Sequence, residues 1–297
     1  MASLVYHSGA LGDFVTALPA FEVWKREHPD EPLVLMGKPA HGALVPHLFD
    51  DAWDAGSSRY ARLFSADCPG GEARLLLPGV TSALVFAREA SPLCAVLSRS
   101  RLDELVRQDP FPAADVHVVD YHLQLFGNRV NDGDRTPRIR VAPAATGDSP
   151  GAGGPAPAFV AIHHGSGSAR KNWPRDRFEA LASRLHGRGY RAAWISGPAD
   201  DDAPPRCEAQ RWDRLPLPDL AARLAACRLF VGNDSGVAHL AAAVGCPTVA
   251  LFGVSSDRVW APRGRRVRVL RASTGRVQDI TLEEALSVVL DFLGESR

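Results

Sequence analysis

Phe230-Val231-Gly232-Asn233-Asp234-Ser235-Gly236-Val237-Ala238-His239-Leu240-Ala241-Ala242-Ala243 runs from an apolar strand through a polar turn into a helix of small residues. The first backbone N–H groups of a helix find no partner within it, and the helix dipole adds partial positive charge at the same end. Ser235, Gly236 and Val237 can therefore present N–H groups to phosphate oxygens. Gly236 lets a ligand approach the backbone closely, and His239 stands one turn into the helix from Ser235, within reach of the same ligand. Asp234 or Ser235 also suits a plain helix N-cap, and capping is compatible with anion binding.

The strand-turn-helix pattern repeats on both sides of this run. Strands are expected at 159–163, 192–195, 229–231 and 248–252, with helices at 176–187, 218–226 and 237–244. The chain opens with a strand at 4–7, the turn Ser8-Gly9-Ala10-Leu11-Gly12-Asp13, a helix to 28 and a strand at 33–36, which is a βαβ unit. Apolar runs at 83–86 and 116–119 read as further parallel strands. Residues 141–157 are rich in proline and glycine and have little to bury, as in a linker. Leu282, Ala285, Leu286, Val289, Leu290 and Leu293 recur at helical spacing and predict a closing amphipathic helix. The expected organisation is an α/β domain at 1–142, a linker at 143–157, a second α/β domain at 158–280 and a closing helix at 281–297.

The 297 residues are 45% hydrophobic, with 34 basic against 34 acidic side chains, as in a folded enzyme. A net charge of zero and the lack of a long Lys/Arg run exclude the electrostatic footprint of a nucleic-acid partner. Five cysteines with no C-x-x-C pair suggest neither a disulfide framework nor a thiolate zinc site, and fit a reducing compartment. Met1-Ala2-Ser3-Leu4 lacks the basic n-region and apolar h-region expected of a signal peptide, and no apolar stretch reaches the ~18 residues that span a bilayer. The expected location is the cytoplasm, with room for peripheral contact at the inner face of the membrane.

Two further constellations carry chemistry. His163-His164-Gly165-Ser166-Gly167-Ser168-Ala169-Arg170-Lys171-Asn172-Trp173-Pro174 follows a strand; Ser166, Gly167 and Ser168 let the loop wrap phosphate. Lys171 there can neutralise charge developing on a leaving diphosphate, although a lone lysine is ordinarily a solvated surface residue. Adjacent strand residues point to opposite faces, so His163 and His164 are not expected to share a metal. Gly9-Ala10-Leu11-Gly12-Asp13 is G-x-x-G rather than G-x-G-x-x-G, and the second strand ends at Gly37-Lys38 with no acidic residue for a ribose, which disfavours NAD. Asp13 is a candidate general base for a substrate hydroxyl, or else the cap of the first helix. Asp132-Gly133-Asp134 looks like an exposed turn and Asp200-Asp201-Asp202 like a ribose contact, so no metal site is expected.

Taken in order, these three motifs resemble glycosyltransferase family 9, the ADP-heptose:lipopolysaccharide heptosyltransferases. Gly9 to Asp13 is similar to its G-x-x-G-D element. Gly165-Ser166-Gly167-Ser168 through Lys171-Asn172-Trp173-Pro174 is similar to its P-G-S-G…K-x-W-P element, with His164 in place of the proline. Gly232 to His239, continuing to Gly245-Cys246-Pro247 and Leu251-Phe252-Gly253, is similar to D-[ST]-G-x-x-H-L-A-x-A. The resemblance implies a GT-B fold, two Rossmann-like α/β/α domains facing each other across a cleft, and an inverting, metal-independent transfer with a nucleotide sugar such as ADP-heptose as co-substrate and no cofactor. It implies that Asp13 is the base and Lys171 a catalytic contact to the donor phosphates, with Gly9 and Gly12 in the acceptor loop. Ser166, Gly167, Ser168, Asp234, Ser235, Gly236 and His239 would hold the donor, and Asp200 or Asp201 its ribose. The implied partners are the nucleotide-sugar donor and a lipopolysaccharide core or other glycan acceptor; the region 59–112 is shorter than in typical members, which leaves the acceptor open. A GT-B sugar-nucleotide epimerase and a non-catalytic nucleotide-sugar-binding homologue are the alternatives.

Overall fold

The computed structural model describes residues 1–113, 115–141, 159–198, 200 and 203–294. Two compact units emerge, Met1–Pro137 and Arg138–Arg297. The expected linker at 143–157 lies outside the described residues.

The first unit is built on five parallel strands, β1 (Ala2–His7), β2 (Leu33–Gly37), β3 (Asp51–Asp54), β4 (Val80–Phe86) and β5 (Glu104–Gln108), in the order β3-β2-β1-β4-β5. Its helices are α1 (Leu11–Glu27), α2 (Pro39–Gly42), α3 (Gly70–Leu76), α4 (Pro92–Arg99) and α5 (Val118–Leu123). Strand alternation sends Leu4 and Tyr6 into one core with Val34, Val85, Leu93 and Leu97. On the other face, His7 lies within 5.8 Å of the ring centroids of Phe14 and Phe21 on α1. The indole N–H of Trp24 donates to Ser3 Oγ at 2.6 Å and so pins α1 to β1.

The second unit carries six parallel strands, β6 (Phe159–His163), β7 (Arg191–Ser196), β8 (Ala209–Asp213), β9 (Leu229–Asn233), β10 (Thr248–Phe252) and β11 (Val267–Arg271), in the order β11-β10-β9-β6-β7-β8. The chain builds outward from β6 to β8, returns to the far side of β6 with β9, and builds outward again, which is the doubly wound Rossmann topology. Helices α6 (Arg175–His186), α7 (Leu217–Ala225), α8 (Gly236–Ala243), α9 (Asp257–Trp260) and α10 (Leu282–Leu293) connect and cover them. Helix α10 begins at a capping box, in which Thr281 N–H donates to Glu284 Oε2 at 2.7 Å and Glu284 N–H to Thr281 Oγ1 at 3.2 Å. Its apolar stripe of Leu286, Val289, Leu290 and Leu293 buries against Phe178, Leu181 and Leu185 of α6. Both units are thus α/β layers on parallel sheets.

Two expectations need correction. The apolar run at 116–119 is not a strand: Val118, Val119, His122 and Leu123 form the buried face of α5, and His117 Nδ1 caps it by accepting the Val119 N–H at 3.2 Å. The i, i+4 recurrence of that face lies beyond the four residues that suggested a strand. Strands β3, β5, β8 and β11 were not anticipated, and they are the four sheet edges. An edge strand has one covered side or less and carries charge, as in Asp51-Ala52-Trp53-Asp54 and Val267-Arg268-Val269-Leu270-Arg271, so it lacks the continuous apolar run that marks a central parallel strand. No described helix is long and apolar enough to cross a membrane.

Candidate functional site

In an open α/β sheet, ligands bind beyond the strand C-termini where the winding reverses. In the second unit that place lies between β6 and β9, which end at His163 and Asn233. Asn233 is fully buried and bridges the two connections: its Oδ1 accepts the Trp173 N–H at 2.9 Å, and its Nδ2 donates to the His164 carbonyl at 2.7 Å. One side chain thereby registers the 163–174 loop against the 233–236 turn.

That registration brings Lys171 to Asp234. Lys171 closes a short 3-10 turn, Ala169–Lys171, and its Nζ lies 2.7 Å from Asp234 Oδ2. Ser255, just beyond β10, donates to the same oxygen at 2.6 Å. The Asp234 side chain is 7% exposed and that of Lys171 34%, so the carboxylate is enclosed while the ammonium reaches the surface. The next residue, Ser235, caps α8 by accepting the Ala238 N–H at 3.4 Å. Gly236 and Val237 are half-buried in the first turn, where N–H groups have no helical carbonyl to bond, and His239 is buried one turn on. A cation and a helix N-terminus therefore converge at one point.

Ser166 and Ser168 shape the loop around this point. Ser166 Oγ donates to Asn172 Oδ1 at 2.6 Å or to the Ser168 carbonyl at 2.8 Å, and accepts the Ser168 N–H at 3.2 Å. Gly167 faces open space. Gly165 is a different case, because a Cβ on it would overlap the Asp200 carboxylate. Asp200 is anchored rather than exposed: its Oδ2 accepts from His163 Nε2 at 3.0 Å and from the Gly197 N–H at 2.6 Å. Burial opposes its ionisation, but His163 and the Gly197 N–H outweigh that and hold its carboxyl below the usual carboxylate range. His163 Nδ1 in turn lies 3.2 Å from Ser235 Oγ. His164 turns to other surroundings and stacks on Trp194, with centroids 4.9 Å apart and planes at 24°.

In the first unit the winding reverses between β1 and β4. Asp13 lies in the first turn of α1, with Gly12 before it, and its Oδ2 accepts the Ala10 N–H at 3.1 Å. A Cβ on Gly9 would come 2.9 Å from His7 Cε1 and 3.0 Å from Asp13 Cβ, so only glycine lets this turn close. Asp134 is held by Arg26 at 2.9 Å and itself accepts the Asn131 N–H at 2.8 Å. Asp201 and Asp202 lie outside the described residues. Among the described residues no cluster of His, Cys, Asp or Glu suits a metal ion.

Lys171, Asp234, Ser235 and the 166–168 loop, read separately in the sequence, come together at one strand end, with Asp200 tied in through His163. Asn233 and Ser255 were not anticipated as parts of this site. Asn233 sits within the polar turn and follows a run of buried strand residues, a position where an amide must find partners. Ser255 carries no comparable mark, since its contact is fixed only by β10 lying beside β9.

The family model for glycosyltransferase family 9 (heptosyltransferase) matches residues 75–287. Lipopolysaccharide heptosyltransferase 3 of Escherichia coli is 33% identical over 114 residues, 35% of this chain and 34% of that protein, so the match spans about a third of the curated relative's length. The glycosyl transferase family 9 structure from Veillonella parvula superposes with a TM-score of 0.78 at 19% identity, over 99% of this chain and 98% of that one. E. coli ADP-heptose lps heptosyltransferase II superposes with a TM-score of 0.74 at 19% identity, over the same 99% and 98%. At that identity the superpositions speak to the fold, which is GT-B.

Proposed function

The chain belongs to glycosyltransferase family 9, and on that premise we propose that it transfers a heptose or similar sugar from ADP-heptose or a related nucleotide sugar to a lipopolysaccharide-type glycan. The observation that carries this reading is the Lys171 ammonium held 2.7 Å from Asp234, next to the N-terminus of α8. The donor diphosphate docks on the first-turn N–H groups of Gly236 and Val237, with Ser235, His239 and the Ser166-Gly167-Ser168 loop around it. Lys171 meets the charge that grows on the diphosphate as the anomeric C–O bond breaks, so it acts more strongly on the transition state than on the ground state.

Asp13 accepts the proton of the acceptor hydroxyl while that oxygen attacks the anomeric carbon and the nucleoside diphosphate departs with the bonding electrons. A single displacement inverts the anomeric centre, and no metal is required because Lys171 and the helix dipole supply the positive charge. The reaction takes place in the cytoplasm, at or near the inner face of the membrane that carries the acceptor.

The test is transfer from ADP-heptose to isolated lipopolysaccharide core, with the anomer of the product assigned by NMR and the assay repeated in EDTA. Inverted product at an undiminished rate in EDTA is expected. Retention of configuration, abolition by EDTA, or isomerised donor in the absence of acceptor would each sink the reading.

A further inference from the structure

We propose that the β11 edge of the second unit is a membrane-docking surface, whose arginines engage the phosphate groups of anionic phospholipids. This rests on the membrane-borne acceptor of the reading above and goes beyond it in naming the face that meets the bilayer.

Residues 258–276 hold seven arginines and no acidic residue, in a chain whose net charge is zero. The fold gathers them on a rim. β11 pairs with β10 alone, so its outer side is an open sheet edge. Arg265, just before the strand, and Arg266, Arg268 and Arg271 after it are all exposed. Arg266 and Arg268 lie over the Phe292 ring of α10, 4.9 and 5.7 Å from its centroid. Arg271, three residues on and so on the opposite face of the strand, bonds Asp257 of α9 at 2.8 Å. Guanidinium groups therefore leave the edge on both faces of the sheet. Asp257, Asp279 and Asp291 pair with three of the seven arginines, while Glu283 faces Arg184 and Glu284 is held in the cap of α10. The rim keeps a positive surplus.

Charge alone would suit any polyanion, and the apolar flank selects a bilayer. Val254, 47% exposed, is the one exposed large apolar residue among the described residues of the second unit, and half-buried Trp260 stands on α9 between it and the arginines. At a membrane interface apolar side chains enter the acyl boundary while guanidiniums stay level with the phosphates, whereas a nucleic-acid backbone offers an apolar side chain nothing. Neighbouring strands lie about 4.8 Å apart, and β9 is two strands in from the edge, so Asp234 at its end stands about 10 Å from the rim. A bilayer docked on that edge brings its acceptor close to the donor site.

The test is cosedimentation of the full chain with vesicles free of lipopolysaccharide, made of phosphatidylcholine with or without phosphatidylglycerol. Binding to the anionic vesicles that weakens with added salt is expected, with none to phosphatidylcholine alone. Each arginine near an anionic surface strengthens binding by about fivefold, so the triple variant Arg265→Gln, Arg266→Gln, Arg268→Gln should bind about a hundredfold more weakly, with its Kd for ADP unchanged. Asp291→Asn removes a carboxylate from the rim and should bind about fivefold more tightly, a readout that stands even if the triple variant does not fold. No binding of the wild-type chain, a folded triple variant that partitions like it, an unaltered Asp291→Asn, or binding to duplex DNA in preference to vesicles overturns the proposal. Vesicle binding needs neither donor nor transfer, so inactivity toward a lipopolysaccharide acceptor with binding retained overturns the reading above alone.

Discussion

The Lys171 ammonium is clamped 2.7 Å from the Asp234 carboxylate, on the oxygen to which Ser255 also donates. The carboxylate is the buried partner, so Asp234 aims the lysine and Ser255 holds Asp234. Lys171→Ala is expected to weaken ADP binding by about 1.5–3 kcal/mol and, by leaving an enclosed carboxylate short of a partner, to lower stability by about 1–3 kcal/mol. Adding Asp234→Asn should restore stability without restoring affinity. Urea melts and calorimetry on the two variants separate these effects.

Asp13 accepts the Ala10 N–H across the first turn of α1, which holds the carboxylate in one orientation. Asp13→Asn keeps the side-chain volume and removes the basic oxygen. Turnover should fall by about 10²–10⁴-fold, the range for losing a general base, with ADP affinity unchanged. A loss of less than threefold would remove Asp13 from the chemistry.

Gly165 and Gly167 stand two residues apart in the same loop, yet a Cβ on the first overlaps Asp200 and on the second meets nothing within 4 Å. Gly165→Ala should cost about 1–3 kcal/mol, as overpacking does, and Asp200→Gly in the same chain should recover most of it. Gly167→Ala should shift stability by about 0.5 kcal/mol or less. Thermal melts of the three variants decide the matter.

His7, His41 and His122 are buried around Phe14, Phe21 and Phe86, and none of their Nδ1 atoms has a hydrogen-bond partner. Burial, then His41, His122 and Lys38, push His7 down to about 3; burial and Lys38 push His41 to about 4, and burial pushes His122 to about 4. Histidines in the unfolded chain titrate near ~6.5, so between that pH and the folded values the unfolded state binds more protons. Stability is therefore fully present above about pH 6.5 and is lost as the pH falls toward 4, on the order of several kcal/mol over the three rings. Urea midpoints between pH 7 and 4.5 should fall steeply in the wild-type protein and less in His122→Phe.

Central strands were legible because burial on both faces demands unbroken apolar runs, as in Leu229 to Val231 and Thr248 to Phe252. The edge strands were not, since an edge is defined by which neighbour it lacks. Helix α10 was legible because its apolar stripe, spaced at helical intervals from Leu282 to Leu293, faces a single core. Within the site, the Lys171 loop and the Asp234-Ser235 turn stood out because each is a polar, glycine-bearing turn between a strand and a helix.

What those local patterns could not carry is adjacency. Periodicity and capping act over a few residues, so they mark where a strand ends and which side chains stand at its end. Which ends lie side by side depends on the winding order, and that order alone sets β6 against β9 and so His163 against Ser235 and Lys171 against Asp234, 72 and 63 residues apart along the chain. The residue types were therefore written in the sequence, whereas the partnerships that give them direction, charge and protons were made by the sheet.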